Sequence, residues 1–295
     1  MSAGAGRRPH PSGLAEVHLA VLLFGFAGLF GKWLALPPEA IVFGRAAFAS
    51  LVLGLAAACT GRSLRVPATR DRRLLVLCGF VLAVHWTMFF RSVQVSTVAV
   101  GLLSYSSFPV FTAFLEPWLL RERWDPASLV LALLTVAGVF LLVPGRDLRS
   151  PEAAGVAWGL GSGLAFSLLS LINRRLAGRL SSPAVAFHQD LWAALFLMPF
   201  VVILRLSAVT VRDWGLLAVL GILGTAGAHT LFIEGLKRLG ARTASIISSL
   251  EPVYGIALAA LFLKENPSLR TISGGALILA AALVVTLRAG RPASS

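Results

Sequence analysis

The chain has 295 residues, of which 57% are hydrophobic and 13% charged, with a mean hydropathy of +0.83. A soluble domain of this size has no use for so much apolar surface, so a soluble enzyme is excluded at the outset. The net charge of +13 would suit nucleic acid, but its basic residues gather in alternate loops, the pattern of a membrane protein's orientation.

Apolar runs long enough to cross a bilayer, which takes about 20 helical residues, recur ten times. The first covers residues 14–35 and follows Arg7 and Arg8. It begins as a signal peptide would, but it is over 20 residues long and is needed by the repeat below, so it reads as a retained span. It ends on Lys32-Trp33, an interface anchor. The second, 38–59, carries Arg45 well inside it, where a lone charge needs a partner. The third, 73–93, holds His85 and Trp86, and the fourth, 97–119, holds Ser104, Tyr105, Ser107, Phe108 and Pro109. The fifth is 127–144. The sixth, 154–174, has Gly155, Gly159 and Gly163 at four-residue intervals, the small-residue spacing that lets helices approach closely. The seventh, 183–205, contains His188, Gln189 and Asp190; the eighth, 213–235, contains His229; the ninth is 241–263 and the tenth 268–287. Cys59 and Cys78 form neither a metal-ligand spacing nor a disulfide framework. With the N-terminus placed in the cytoplasm, inside segments hold 17 Lys/Arg and outside segments eight, which predicts both termini cytoplasmic.

The organising stretch is GARTASIISSLEPVYGIALAALFLKEN, residues 240–266, an apolar span broken near its middle by Glu251-Pro252. A proline removes a backbone donor and frees a carbonyl one turn upstream. TVAVGLLSYSSFPVFTAFLEPWLLRER, residues 97–123, is its twin: Pro109 precedes Glu122 by 13 residues, as Pro252 precedes Glu265, and the two copies are offset by 143. The same offset aligns Arg45 with His188, Trp86 with His229, Phe89 with Phe232 and Ser92 with Gly235. Each copy has five spans, an odd number, so the second must enter the membrane from the opposite side. The predicted fold is therefore an all-α membrane protein of ten transmembrane helices in two inverted five-helix repeats, residues 1–150 and 151–295. Interrupted helices at matching places in two halves point to the binding site of a secondary transporter.

With the doubled pattern in view, HWTMFFRSVQVSTVAVGLLSYSSFPVFTAFLEPWLLRERW (85–124) and AHTLFIEGLKRLGARTASIISSLEPVYGIALAALFLKEN (228–266) resemble the drug/metabolite transporter superfamily, in its EamA-type ten-helix branch. The resemblance covers nearly the whole chain. It implies a central cavity surrounded by spans 1–4 and 6–9, with spans 5 and 10 at the periphery. It also implies outward movement of a small metabolite, often an amino acid, across a bacterial inner membrane.

The candidate binding residues follow from the interrupted spans and their neighbours. Helical spacing places Ser248, Glu251 and Gly255 on one stripe, with Tyr254 and Ser245 beside it, so a carboxylate, hydroxyls and a close backbone approach share one face. An acid within a span costs roughly 2.5–3.5 kcal/mol to insert and marks a functional group by default. Glu251 is thus expected to bind a substrate amine or to couple protons; the bland alternative is an acid that caps a kinked helix. The matching stripe in the fourth span is Ser104, Tyr105, Ser107 and Phe108, with Phe108 at the place of Glu251, which suits a ligand with one polar and one apolar end. Interhelical hydroxyl bonds and aromatic packing would explain the same residues without a ligand. His85 and His229 could relay a proton, and Trp86 offers an apolar wall or a cation–π face; membrane histidines also serve simply as interhelical hydrogen bonds. Arg45 with His188, Gln189 and Asp190 reads as a structural polar group, with room for a charge pair across the bundle between Arg45 and a carboxylate, and Glu122 and Glu265 read as gate or interface salt bridges with Arg121, Arg123 and Lys264.

No phosphate-binding G-x-x-x-x-G-K-[ST] motif and no metal or other cofactor motif occurs, so movement is driven by a gradient, by substrate exchange, or by nothing beyond facilitated diffusion. Ser162 in GLGSG prompts a check for a membrane-embedded Ser–His hydrolase with His188 or His229, but Leu160 stands where the nucleophile motif needs glycine. A channel or facilitator would line its path continuously with polar groups, whereas these bunch near mid-span among Phe, Trp and Leu. The expected partners are a small-molecule substrate, membrane lipid and protons, with no nucleic acid; the oligomeric state is not readable from the residues.

Overall fold

A computed structural model of the chain describes residues 11–120, 127–143, 147–176, 179–203, 209–239, 244 and 247–289. Among the described residues every element is helical and there is no β-strand. In chain order the elements are α1 (Pro11–Ala27), α2 (Phe30–Trp33), α3 (Pro38–Thr60), α4 (Thr69–Val95), α5 (Val98–Tyr105), α6 (Phe108–Leu120) and α7 (Ala127–Leu142). They continue with α8 (Pro151–Leu176), α9 (Ser182–Ile203), α10 (Val211–Gly221), a π-helical segment (Ile222–Gly227), α11 (Ala228–Leu239), α12 (Glu251–Leu263) and α13 (Leu269–Ala289).

Seven helical runs among the described residues are long and apolar enough to cross a membrane: Ser12–Trp33, Pro38–Thr60, Thr69–Val95, Val98–Leu119, Pro151–Leu176, Ser182–Ile203 and Val211–Gly235. Three shorter apolar helices, Val130–Leu142, Glu251–Leu263 and Leu269–Val284, stand where the fifth, ninth and tenth spans are expected. Residues 240–243 and 245–246, with Arg242 and Ser245, lie outside the described residues, as do Arg121, Glu122 and Arg123.

Local chemistry sets the ends of these helices. Pro38 opens α3 with its φ preset and its missing donor harmless, and Gly61 closes it in the left-handed conformation at φ 66°. Thr97 caps α5 by accepting the Val100 N–H at 3.1 Å. The two interruptions expected from proline both occur, and they are in register: the helix breaks into turns at Ser106-Ser107, before Pro109, and at Ser249-Leu250, before Pro252. In the first break hydroxyls take up carbonyls of the preceding turn, Ser106 on Leu102 (2.7 Å) and Ser107 on Ser104 (2.6 Å).

The packing partners exchange between the halves. α1 lies against α11 and α12, while α8 lies against α4, α5 and α6. α3 packs on α9, and α7 on α13. α4 also packs on α9, as α10 and the π segment pack on α3. Small residues permit the closest crossings. A side chain at Gly25 of α1 would meet the backbone nitrogen of Gly255 at 2.7 Å, and one at Gly159 of α8 would meet Ser104 Cβ at 2.5 Å. Gly274 of α13 fits against the Gly138 carbonyl of α7, so the small residues of the last helix serve contacts within the chain. The largest core cluster joins α1–α5 to α8 and α9 and includes Phe30, Phe90, Leu102 and Leu197. Outward-facing Leu51, Leu55, Leu133, Phe140 and Val202 are exposed, as suits side chains bathed in lipid.

Candidate functional site

Arg45 sits in the middle of α3, only 5% exposed. Its guanidinium carbon lies 3.8 Å from the centre of the Trp86 ring, a cation–π contact, with Phe90 farther off at 5.7 Å. Nε and Nη2 both donate to Thr225 Oγ1, at 3.1 and 3.0 Å. Thr225 belongs to the π-helical segment, and its own hydroxyl donates five residues back, to the Leu220 carbonyl at 3.1 Å. The widened turn thus presents a threonine to a buried cation, one of the uses to which short π insertions are put.

Two carboxylates are within electrostatic reach of this guanidinium, Asp190 on α9 and Glu251 at the start of α12. Neither forms an ion pair with it among the described residues. Asp190 is 1% exposed, and neither of its oxygens has a hydrogen-bond partner among the described residues. The rings of His85 and His229 also fall within the field of Arg45, and Tyr105 within that of Glu251. Titratable groups from α4, α9, α11 and α12 therefore lie within the field of one buried cation on α3, and Tyr105 of α5 lies within that of Glu251.

Beside the charges stands an aromatic group. Tyr105 and Phe108 stack at 5.4 Å and 22°, and Phe166 of α8 meets Phe108 edge-on at 4.9 Å. His85 lies 5.3 Å from Tyr105 and 5.0 Å from Phe166. Its Nδ1 is 2.8 Å from Ser162 Oγ, and that hydroxyl also lies 3.0 Å from the His85 carbonyl. Ser162 is fully buried on the face of α8 that carries Gly155, Gly159 and Gly163. The serine and histidine are thus brought together, but as a clasp between α4 and α8, and with His85 rather than His188 or His229.

The remaining expected residues fall close to this centre or on its margins. Trp86, His85, His229 and Glu251 lie around Arg45 as described, and Tyr105 lies near Glu251. Phe108 packs between Tyr105 and Phe166. Ser104 is fully buried against α8, its hydroxyl without a partner among the described residues. Ser248 turns its hydroxyl back onto the Ala244 carbonyl at 2.9 Å. Tyr254 points along α1, where its hydroxyl is 2.7 Å from His18 Nδ1. His229 packs its ring 5.4 Å from Phe24.

Two expectations are corrected. Of the expected polar group only Asp190 lies within the field of Arg45: consecutive helical residues point in different directions, so His188 reaches the Leu64 carbonyl (3.0 Å) and Gln189 donates to Asn173 of α8. Glu265 does not pair with Lys264; its Oε2 accepts the Val98 N–H at 2.9 Å, capping α5 from the other half of the chain. Lys32 donates to the Ser96 carbonyl at 2.6 Å and so ties two helices. Thr225 and His18 were missed. The π turn leaves no trace in hydrophobic periodicity, whereas His18, an ionisable residue inside an apolar run, was a signal in plain sight.

The EamA-like transporter family model matches the chain twice, over residues 12–143 and 153–287. The chain belongs to the EamA-like transporter family. It is an integral membrane protein of the drug/metabolite transporter superfamily. It is 25% identical over 278 residues to an uncharacterized transporter, YxxF, of Bacillus subtilis, covering 92% of this chain and 89% of that one. It is 28% identical over 232 residues to the threonine/homoserine exporter RhtA of Salmonella typhimurium (76% and 74% covered). It is 25% identical over 252 residues to the pseudopaline exporter CntI of Pseudomonas aeruginosa (85% and 87%). A solved crystal structure with 21% identity superposes with a TM-score of 0.66 over 98% of this EamA-like chain and 100% of the other, a likeness of fold.

Proposed function

We propose that this EamA-like protein is a secondary transporter that exports a small metabolite, an amino acid or related amphiphile, by alternating access. The observation that carries the reading is the gathering of Arg45, Asp190, Glu251, His85 and His229 around one buried centre flanked by the Tyr105–Phe108–Phe166 aromatic group. Such a centre can hold a small molecule with opposite charges at one end and an apolar portion at the other. That two relatives are named as exporters of amphoteric metabolites supports the direction and the class of cargo.

In this reading Glu251 receives the substrate ammonium and exchanges it for a proton, while Arg45, steadied by Thr225 and Trp86, receives the carboxylate. Ser104, Ser248 and Tyr254 border the route, and Phe108 faces the apolar part of the cargo. The ten helices form two inverted five-helix units that meet near residue 150, in the inner membrane of a bacterium with both termini in the cytoplasm. The exchanged packing of α1 and α8, together with the two matched interruptions, supports that inverted arrangement.

Counterflow in proteoliposomes tests the proposal. Vesicles preloaded with individual amino acids and other small metabolites are expected to drive saturable uptake of a labelled member of one class. Unsaturable flux with single-channel currents would support a channel instead, and folded protein with no exchange across the panel would overturn the cargo class.

A further inference from the structure

A second feature lies away from the central cluster and owes nothing to the transport reading. A pocket of about 690 Å³ opens at the end of the bundle that carries the start of α3. It is lined by Ala35–Glu39, by Thr87, Arg91 and Gln94 of α4, and by Trp158 of α8. Opposite charges therefore face one another across it, Arg91 from α4 and Glu39 from the first turn of α3. No ion pair or hydrogen bond links either side chain to another described residue. The Thr87 hydroxyl is buried and equally without a partner. Gln94 is committed elsewhere, donating to the Leu36 carbonyl at 2.8 Å, which fixes the loop that forms one wall.

The pocket does not end in water on every side. Thr87, Arg91 and Gln94 continue a single face of α4 through Val84, Phe80 and Leu77, at alternating spacings of three and four residues. Leu77 and Phe80 are 44% and 48% exposed, and Trp158 is 40% exposed on the neighbouring helix. A recess that carries two opposite charges beside Trp158 thus adjoins, along one face of α4, an apolar track of half-exposed side chains, the sequence of surroundings met by a phospholipid from headgroup to acyl chain.

We propose that this pocket binds a phospholipid whose headgroup carries both a phosphate and a primary ammonium. Arg91 takes the phosphate oxygens, Glu39 takes the ammonium, and an acyl chain lies along Val84, Phe80 and Leu77. A guanidinium recognises phosphate through charge-assisted hydrogen bonds, while a carboxylate accepts hydrogen bonds from a primary ammonium and none from a quaternary one. A purely anionic headgroup would leave Glu39 facing a like charge.

Native mass spectrometry of the purified full chain, titrated with phosphatidylethanolamine, phosphatidylcholine and phosphatidylglycerol of matched acyl chains, tests this. The ethanolamine lipid is expected to bind most tightly. Arg91→Ala should weaken all three about tenfold, the loss of one charge-assisted contact, and Arg91→Lys should weaken them less. Glu39→Gln should erase the preference for ethanolamine over glycerol. Arg62→Ala, at the opposite end of α3, should change nothing. Equal binding of the three lipids, affinities unchanged in Arg91→Ala, or a preference for ethanolamine over glycerol unaltered in Glu39→Gln, would overturn the proposal. So would glycerophosphoethanolamine, the headgroup without chains, binding as tightly as the lipid, since that would mark a site for soluble zwitterions.

Discussion

Arg45 is charged in the middle of an apolar helix, and its surroundings explain how that is tolerated. Trp86 covers one face of the guanidinium, Thr225 accepts from two of its nitrogens, and two carboxylates are near without being bound to it. A cation held by an aromatic ring and a hydroxyl keeps more freedom to accept a second anion than one locked in a two-pronged ion pair. Glu251 has no such clasp among the described residues, and in the proposed cycle it is the group that changes its proton. One pH unit across the membrane is worth about 1.4 kcal/mol, or up to about tenfold in accumulation. Glu251→Gln is expected to lose that pH-gradient effect in the counterflow assay, while Glu122→Gln keeps it. Equal losses in the two variants would remove the special role of Glu251. The acid, the histidines and Trp86 were legible as residues because ionisable and amphipathic side chains stand out in an apolar run. Their convergence on Arg45 was not, because it depends on contacts between helices up to 206 positions apart, the separation of Arg45 and Glu251.

The interrupted spans behave as their prolines require, and the place of each interruption was readable. What the break accomplishes is a matter of packing. Ser104 and Tyr105 stop against α8, while α12 begins where Glu251 and Gly255 pass the backbone of Gly25. At that crossing a methyl group at Gly25 would come within 2.7 Å of the Gly255 nitrogen and 2.9 Å of the Glu251 carbonyl, atoms that no side-chain rotation can move away. Gly25→Ala should therefore destabilise the protein by about 1–3 kcal/mol and reduce transport. Gly215→Ala, where an added Cβ meets nothing within 4 Å, should instead stabilise it by about 0.4–1 kcal/mol. Thermal melting in detergent distinguishes the two; an unchanged melting point in Gly25→Ala would mean that α1 and α12 do not hold this crossing. The π segment belongs to the same scale and escaped detection, since six residues of Ile, Leu, Gly, Thr and Ala read equally well as α-helix.

Across the whole molecule, the ion pairs between helices among the described residues lie towards the ends of the bundle. Near the start of α1, Arg238 of α11 pairs with Glu16 (2.6 Å) and donates to Ser12 (2.8 Å). Asp71 at the start of α4 pairs with Arg179 at 3.1 Å. Where α2 ends, Lys32 holds the Ser96 carbonyl and Glu265 caps α5. Alternating access requires that ties at one end open while those at the other persist. A Cβ at Gly13 would lie 2.9 Å from that of Arg238, close enough for a disulfide after a small adjustment. Gly13→Cys with Arg238→Cys, in a background of Cys59→Ser and Cys78→Ser, should stop exchange when oxidised and recover it on reduction. Full exchange by the crosslinked protein would show that α1 and α11 stay together throughout the cycle.

The sequence by itself determined the class, the family, the apolar spans and the two matched breaks, because each is governed by composition and spacing along the chain: hydropathy decides what enters a bilayer, and a proline breaks its own helix wherever it stands. Only the tertiary structure decided the partners. It placed Thr225 rather than a carboxylate on Arg45, His85 on Ser162, His18 on Tyr254 and Glu265 on the first turn of α5. Those choices turn on which helix faces which and at what depth. That is set by the fit of small residues at the crossings, and a one-dimensional pattern of apolar residues carries no record of it.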